Sequence, residues 1–311
     1  MATLGDVRPV LKSIGKWPFL KRLWQQIDED EIFVWASALA YSWLFSIFPF
    51  LILLLSLVPY LPESAKNTAQ SHISEMLTQM LGKEAHTIND NLDGVMRHQH
   101  NGWLGIGLVV TLWVASGGMA MTMSALDKCY DIKVARPYYK QRALAIAMTI
   151  AVTIGILLMV VLMPIGTAVA SWLKSGNMLS LPLEIAFDAV RYFLSAVFAL
   201  FVLSIIYYFG PNIRQRFHLI SPGALFSALV WILSDLGFRF YIDRFARYDQ
   251  TYGSVGGVAI LLLFFYIDGL VLLIGAEINS ELDFERLGVS PGSKDLTGPK
   301  QPAMAEMAKE L

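Results

Sequence analysis

Cysteine is almost missing from this chain: Cys129 stands alone among 311 residues. That excludes an internal disulfide and any metal centre built from several cysteines. No histidine lies near Cys129 in sequence, so the thiol reads as an ordinary apolar-edge side chain rather than a nucleophile. Histidine is scarce as well, five in all, and the close pair His98 and His100 sits in a polar loop without further ligands, so neither a metal nor another cofactor is expected. Charge is sparse, 16% of residues with a net charge of −1. There is no basic excess of the kind that neutralises a phosphate backbone, which argues against a nucleic-acid partner.

Apolar surface is what the chain has in quantity. At 55% hydrophobic residues and a mean hydropathy of +0.52, it carries more than a soluble core of this size holds. Lipid is its natural solvent. Residues 1–32 are mostly polar and precede the first long apolar run, an arrangement unlike a cleavable signal. Within them Leu20, Leu23, Trp24 and Ile27 recur at i, i+3, i+4 and i+7 beside Lys16, Lys21 and Arg22, with Pro18 suited to a first helical turn. This predicts a cytoplasmic helix lying on the membrane surface.

Six stretches are apolar enough to cross a bilayer, for which about 20 residues suffice: 33–60, 102–122, 143–173, 187–209, 219–241 and 254–277. All are expected to be helices, since backbone groups in lipid must be satisfied within the segment and no alternating barrel pattern is present. Of the 24 Lys and Arg, 16 fall in the N-terminal segment, the second and fourth loops and the tail, against 6 in the alternate loops. Both termini are therefore expected in the cytoplasm. The predicted fold is an all-α integral membrane protein. It comprises the interfacial helix (1–32), a six-helix transmembrane bundle (33–285), an external amphipathic helical hairpin (62–101) and a disordered tail (286–311). No internal repeat is evident, so an inverted-repeat transporter is not indicated.

Pro49 in the first span and Pro164 in the third are expected to kink their helices, with Ser42 and Ser46 placed to re-satisfy the carbonyl freed by Pro49. Gly253, Gly256 and Gly257, between the fifth and sixth spans, permit either close helix approach or a non-helical turn. The run Asp28 to Glu31 reads as acidic charge at a helix start.

Ionisable groups inside apolar spans carry the functional question. An Asp or Arg near the middle of a membrane helix costs roughly 2.5 to 3.5 kcal/mol on insertion scales. Asp235 and Arg239 are four apart and share a helix face, so they can pair. Asp268 lies about 20 Å of helix from the outer end of the last span. Asp188 and Arg191 open the fourth span, and Glu277 with Asn279 closes the sixth. Two readings stay open: a structural network holding helices in register, or a substrate or proton pathway.

The segments "ALAYSWLFSIFPFLILLLS" at 38–56, "LWVASGGMAMTMSALDKCYDI" at 112–132 and "YGSVGGVAILLLFFYIDGLVLLIGAEINSEL" at 252–282 resemble the three signature blocks of the YihY/BrkB family of bacterial inner-membrane proteins. The resemblance covers about residues 25 to 285 and implies six membrane helices. Members have carried a ribonuclease BN label, a virulence-factor label and suggestions of lipid or ion transport. A zinc nuclease needs an H-x-H-x-D-H run, which this chain lacks, so no enzyme is expected. Asp268 departs from the uncharged residue usual in similar proteins, which leaves Asp235, Arg239 and Glu277 as the firmer candidates.

The leading expectation is a cytoplasmic-membrane transporter moving a lipid or other anionic amphiphile through a partly charged cavity of spans 4–6. Arg191, Arg239, Arg244 and Arg247 would meet the head group, because guanidinium binds phosphate bidentately. The alternatives are a cation/proton antiporter using Asp235, Asp268 and Glu277, and a non-transporting scaffold. The partners expected are membrane lipids, and self-association is also open.

Overall fold

A computed structural model describes residues 1–57, 103–132, 136–175, 197–245 and 249–288; for 13–14, 55, 103–107, 158–175, 235, 239, 241–245 and 249–255 it describes the backbone alone. The described residues are helical, with no strands among them: α1 Leu4–Ile14, α2 Lys16–Glu29, α3 Ile32–Leu57, α4 Trp103–Cys129, α5 Tyr138–Ser175, α6 Val197–Phe209, α7 Pro222–Phe245 and α8 Asp249–Leu287. Within α3, α4, α5 and α8 lie four segments long and apolar enough to cross a membrane: Ile32–Leu54, Leu108–Cys129, Tyr138–Leu157 and Gly256–Leu287. The apolar runs of α6 and α7 are shorter. The predicted hairpin at 62–101 and the start of the fourth span lie outside the described residues, as does the tail beyond Gly288.

The chain divides into two compact units. One holds Met1–Phe45, Gly118–Ala143 and Ala196–Leu311; the other holds Ser46–Gly117 and Leu144–Ser195. In the second, the Ser46 hydroxyl lies 3.5 Å from where a Cβ on Gly117 would stand. Thr149 and Thr153 bond back to the carbonyls of Ala145 and Thr149, at 2.8 Å each. Such back-bonding satisfies a hydroxyl without a second helix, which suits an apolar environment.

In the first unit, among the described residues, α7 packs extensively on α8, and α1 and α2 pack on α8 and on each other. The burial pattern is that of a protein solvated by lipid. On α3, Ile32, Ala36, Leu39 and Ala40 are buried, while Phe33, Val34, Tyr41 and Phe45 are exposed. On α7, Leu229, Ile232, Leu233, Leu236 and Phe240 form an exposed apolar stripe. Water would not tolerate such continuous apolar faces on a monomer.

Several elements differ from their sequence expectation, each for a local reason. The N-terminal segment is two helices rather than one, parted at Gly15, whose φ of 91° favours a residue without a Cβ. Thr3 and Asp6 start α1 with a capping box. On α2 the buried set is Phe19, Leu23 and Ile27, whereas Leu20 and Trp24 join Trp17 on an exposed face. Charged residues end the apolar runs without ending the helices, so α4 continues to Cys129 and α8 to Leu287. Gly253, Gly256 and Gly257 are helical, not a break, and a Cβ at Gly257 would meet nothing within 4 Å. Pro49 and Pro164 lie inside α3 and α5, which a proline can bend without ending them. The acidic run at 28–31 is a corner: Asp30 caps the C-terminus of α2, and Glu31, at φ 53°, turns the chain into α3.

Candidate functional site

The crossing of α7 and α8 fixes the scaffold of the site. A Cβ on Gly223 would collide with the Gly275 carbonyl, and one on Gly275 would collide with Ser227 Oγ and Tyr207 Oη and stand 2.9 Å from the Gly223 carbonyl. Only glycines allow this approach. Around it the Tyr207 hydroxyl bonds Ser227 Oγ at 2.7 Å and donates to the Leu272 carbonyl at 2.8 Å. The N-terminus of α7 is capped by the residue that precedes it and by one from α8. Ser221 Oγ accepts from the Ala224 N–H at 3.1 Å, and Asn279 Oδ1 accepts from the Gly223 N–H at 2.8 Å. Asn279 Nδ2 then donates to Ser221 Oγ at 3.1 Å. With Pro222 at the first helical position, this is a complete N-cap. Asn279, expected as a pathway residue, here serves a helix end.

The loop between α6 and α7 is held by side chains as well. Arg136 donates to the carbonyls of Phe209, Gly210 and Pro211 at 3.1, 2.7 and 2.7 Å. Gln215 donates to those of Tyr207 and Tyr208 at 2.7 and 3.1 Å. The last carbonyls of α6 are thus satisfied by a cation and an amide. Burial lowers the Arg136 pKa, opposed by the charge of Asp127. Nearby His218 is also lowered, by burial first and then by surrounding positive charge that includes Arg286 and Arg216.

Beside this scaffold lies a buried acidic centre. Glu277 projects from α8 with no exposed surface. Its Oε2 accepts a long 3.4 Å contact from the Ser280 hydroxyl, and its Oε1 has no hydrogen-bond partner. Asp30 and Cys129, both buried, are among its electrostatic neighbours, and the Cys129 thiol itself donates to the Leu273 carbonyl at 3.8 Å. Asp30, 2% exposed, is paired with Lys128 at 3.1 Å and receives Gln26 Nε2 at 3.5 Å. Gln26 also donates to Asp131 at 3.3 Å. The Tyr130 hydroxyl, next along the chain, is buried without a hydrogen-bond partner; burial, and then the charge of Asp283, raises its pKa well above the usual tyrosine value.

Further along α8, ion pairs fasten the N-terminal helices. Arg22 reaches Glu285 at 3.2 Å and Glu281 at 3.9 Å, and Arg286 spans Asp283 at 3.4 Å and Asp6 at 3.8 Å. The exposed Arg22 pairs add little stability singly. They position α2, and through it the Asp30 corner.

Of the residues singled out in the sequence, Glu277 and Asn279 are two positions apart on α8 but face different partners. Asp268 is half-buried, and its backbone carbonyl accepts the Trp231 indole N–H at 3.3 Å. Asp188, Arg191 and Arg247 lie outside the described residues, as do the side chains of Asp235, Arg239 and Arg244. Among the described residues, the acidic and thiol neighbours of Glu277 come from the α2–α3 corner and the end of α4. Asp30 was missed because a charge run before an apolar stretch looks solvated, and Lys128 because a cation just past an apolar run reads as a loop residue. Only the helical corner turns Asp30 inward. Among the described residues no three of His, Cys, Asp and Glu are grouped to hold a metal.

These features define a multi-pass α-helical membrane protein with a buried acidic centre on a membrane-spanning helix. The chain belongs to the BrkB family: the family model described as "Virulence factor BrkB" matches residues 23–296. It is 32% identical over 269 residues to the "Putative ribonuclease-like protein YfkH" of Bacillus subtilis, covering 85% of this chain and 94% of that one. To a "UPF0761 membrane protein" of Vibrio campbellii it is 25% identical over 274 residues, 86% and 83% of the two chains. To another of that name from Aeromonas salmonicida it is 24% identical over 282 residues, 89% and 92%. No solved structure matches it significantly.

Proposed function

We propose that the protein is a transporter of the cytoplasmic membrane rather than an enzyme. It has six membrane helices, both termini in the cytoplasm, and α2 lying in the inner lipid interface on Trp17, Leu20 and Trp24. The observation that carries the transport reading is Glu277. A carboxyl with no exposed surface and one unpartnered oxygen, on a helix long enough to cross the bilayer, is an expensive feature that membrane proteins keep for substrate or ion movement. The proposed cargo is an anionic amphiphile met by Arg191, Arg239, Arg244 and Arg247, which rests on their placement in the sequence. A second reading, cation/proton antiport, is favoured by the complete burial of the Glu277 carboxyl, which has one oxygen without a hydrogen-bond partner.

Purified protein in liposomes tests both. Accelerated transfer of a fluorescent anionic phospholipid between leaflets, lost in Glu277→Gln, is the expected result. Cation-dependent collapse of a pH gradient without lipid transfer would favour the antiporter. The absence of both activities from folded protein would overturn the transport reading.

A further inference from the structure

We propose that the exposed face of α1 and α2 is a docking surface for anionic phospholipid headgroups, which it gathers around Trp17 and Trp24. The preference rests on α2 lying in the lipid interface and adds to that placement the class of lipid met there.

Charge singles out this segment. Residues 7–27 hold five cations and no acid, in a chain whose net charge is −1. Arg22 is engaged by Glu285 and Glu281 of α8, which fixes the rotation of α2 about its own axis. Arg8, Lys12, Lys16 and Lys21 are exposed and have no acidic partner among the described residues. The acid before them, Asp6, is taken by Arg286 at 3.8 Å. Asp28 and Glu29, exposed in the last turn of α2, mark where the cationic face ends.

Helical spacing sets these cations among apolar side chains. On α1, Leu4, Arg8 and Lys12 recur at i, i+4 and i+8 on the exposed face, while Val10 is buried. On α2, Trp17, Leu20 and Trp24 recur at i, i+3 and i+7 on the exposed face, and Phe19, Leu23 and Ile27 are buried. Lys21 stands one turn from both indoles, and Lys16 one turn before Leu20. An indole, apolar but for one N–H, suits the headgroup level of a bilayer. An ammonium on a long apolar stem beside it reaches a phosphate at that level.

The chain itself brings this face to a membrane. α2 ends at Glu29, and after the corner at Asp30 and Glu31 the first membrane-crossing segment starts at Ile32. Trp24 is eight residues from that start, so headgroups are always within reach, whereas an acidic protein would have to be recruited. An anionic lipid answers the charge, the aromatic spacing and the tether together.

Brominated lipids read the composition around the indoles. Full-length protein is placed in liposomes of equal parts phosphatidylcholine and phosphatidylglycerol, with bromine near the headgroup end of one lipid or the other, so that surface charge never changes. The fluorescence difference between the wild type and the Trp17→Phe, Trp24→Phe double variant isolates the indoles in question. Its quenching is expected to be about fivefold stronger with brominated phosphatidylglycerol, the partition that one Lys or Arg near an anionic surface confers. Replacing Arg8, Lys12, Lys16 and Lys21 together by Gln, in both backgrounds, should bring the ratio to one; circular dichroism and a single gel-filtration peak establish folding. The wild type supplies a test without that variant: in about 1 M KCl, where the Debye length is about 3 Å, its ratio should also approach one. Equal quenching by both lipids at low salt would overturn the headgroup preference while leaving α2 in the interface. A preference kept by the folded Gln variant and in high salt would overturn it too, since these cations would not be its source. A difference that neither lipid quenches would overturn the preference and the interfacial placement alike, and its dependence on the protein-to-lipid ratio would give the face to a second copy of the chain.

Discussion

Replacing Gly275 with alanine probes the crossing that positions the acidic centre. The added Cβ would enter the space of Ser227 Oγ and Tyr207 Oη, and on its other side meet the Gly223 carbonyl at 2.9 Å. The side-chain atoms can swing away only by giving up the Tyr207–Ser227 bond and the Tyr207 bond to the Leu272 carbonyl. The backbone carbonyl cannot swing at all. Overpacking of this kind costs about 1 to 3 kcal/mol. Two interhelical hydrogen bonds in a membrane protein add about 0.6 kcal/mol each, while glycine to alanine within a helix returns at most about 1 kcal/mol. The net loss is about 1 to 3 kcal/mol. Gly257→Ala is the internal control. It lies about five turns away on the same helix, where a Cβ would meet nothing within 4 Å, and should be neutral or gain up to about 1 kcal/mol. Unfolding in mixed micelles with increasing dodecyl sulfate, followed by circular dichroism, measures both. Equal stabilities of the two variants would refute the close crossing.

Other perturbations test the surrounding framework. Arg136→Ala removes a fork that holds three carbonyls and should cost about 2 kcal/mol; the lysine variant should recover less than half by the same unfolding assay, because one ammonium cannot replace a planar fork. For His218 the folded pKa is lowered by burial and by nearby positive charge, so the fold binds fewer protons than the unfolded chain. Its penalty is absent well above pH 6.5, builds as pH falls from about 6.5 to the lower folded value, and is complete below it; thermal stability should therefore fall on acidification, and His218→Gln should flatten that slope. Trp17 and Trp24, 78% and 64% exposed, should be quenched by shallowly brominated lipids. The fluorescence difference between wild type and the double Phe variant isolates them, and no quenching of that difference would remove α2 from the interface.

The apolar runs made the membrane class legible, because length and hydropathy alone decide whether a helix can cross a bilayer. Helix ends were less legible: Lys128 and Asp283 lie within α4 and α8, past the ends of their apolar runs, since charge halts burial in lipid without halting the backbone ladder. Glu277 was legible as an ionisable group in an apolar run. Asp30 was not, because nothing in four consecutive acids says which one a corner at Glu31 will turn inward. Asn279 shows the opposite case, a polar residue in a span whose partner is the first turn of another helix. That pairing depends on the Gly223–Gly275 approach, which no local pattern reveals.

The central claim, transport that needs the Glu277 carboxyl, is measured most directly by lipid movement. Liposomes holding the protein carry a fluorescent anionic phospholipid in both leaflets, and the fraction reached by an impermeant quencher outside is followed with time. Transfer from the inner leaflet is expected with the wild type and with Gly257→Ala, and none above protein-free liposomes with Glu277→Gln. Transfer by a folded Glu277→Gln variant at the wild-type rate would contradict it.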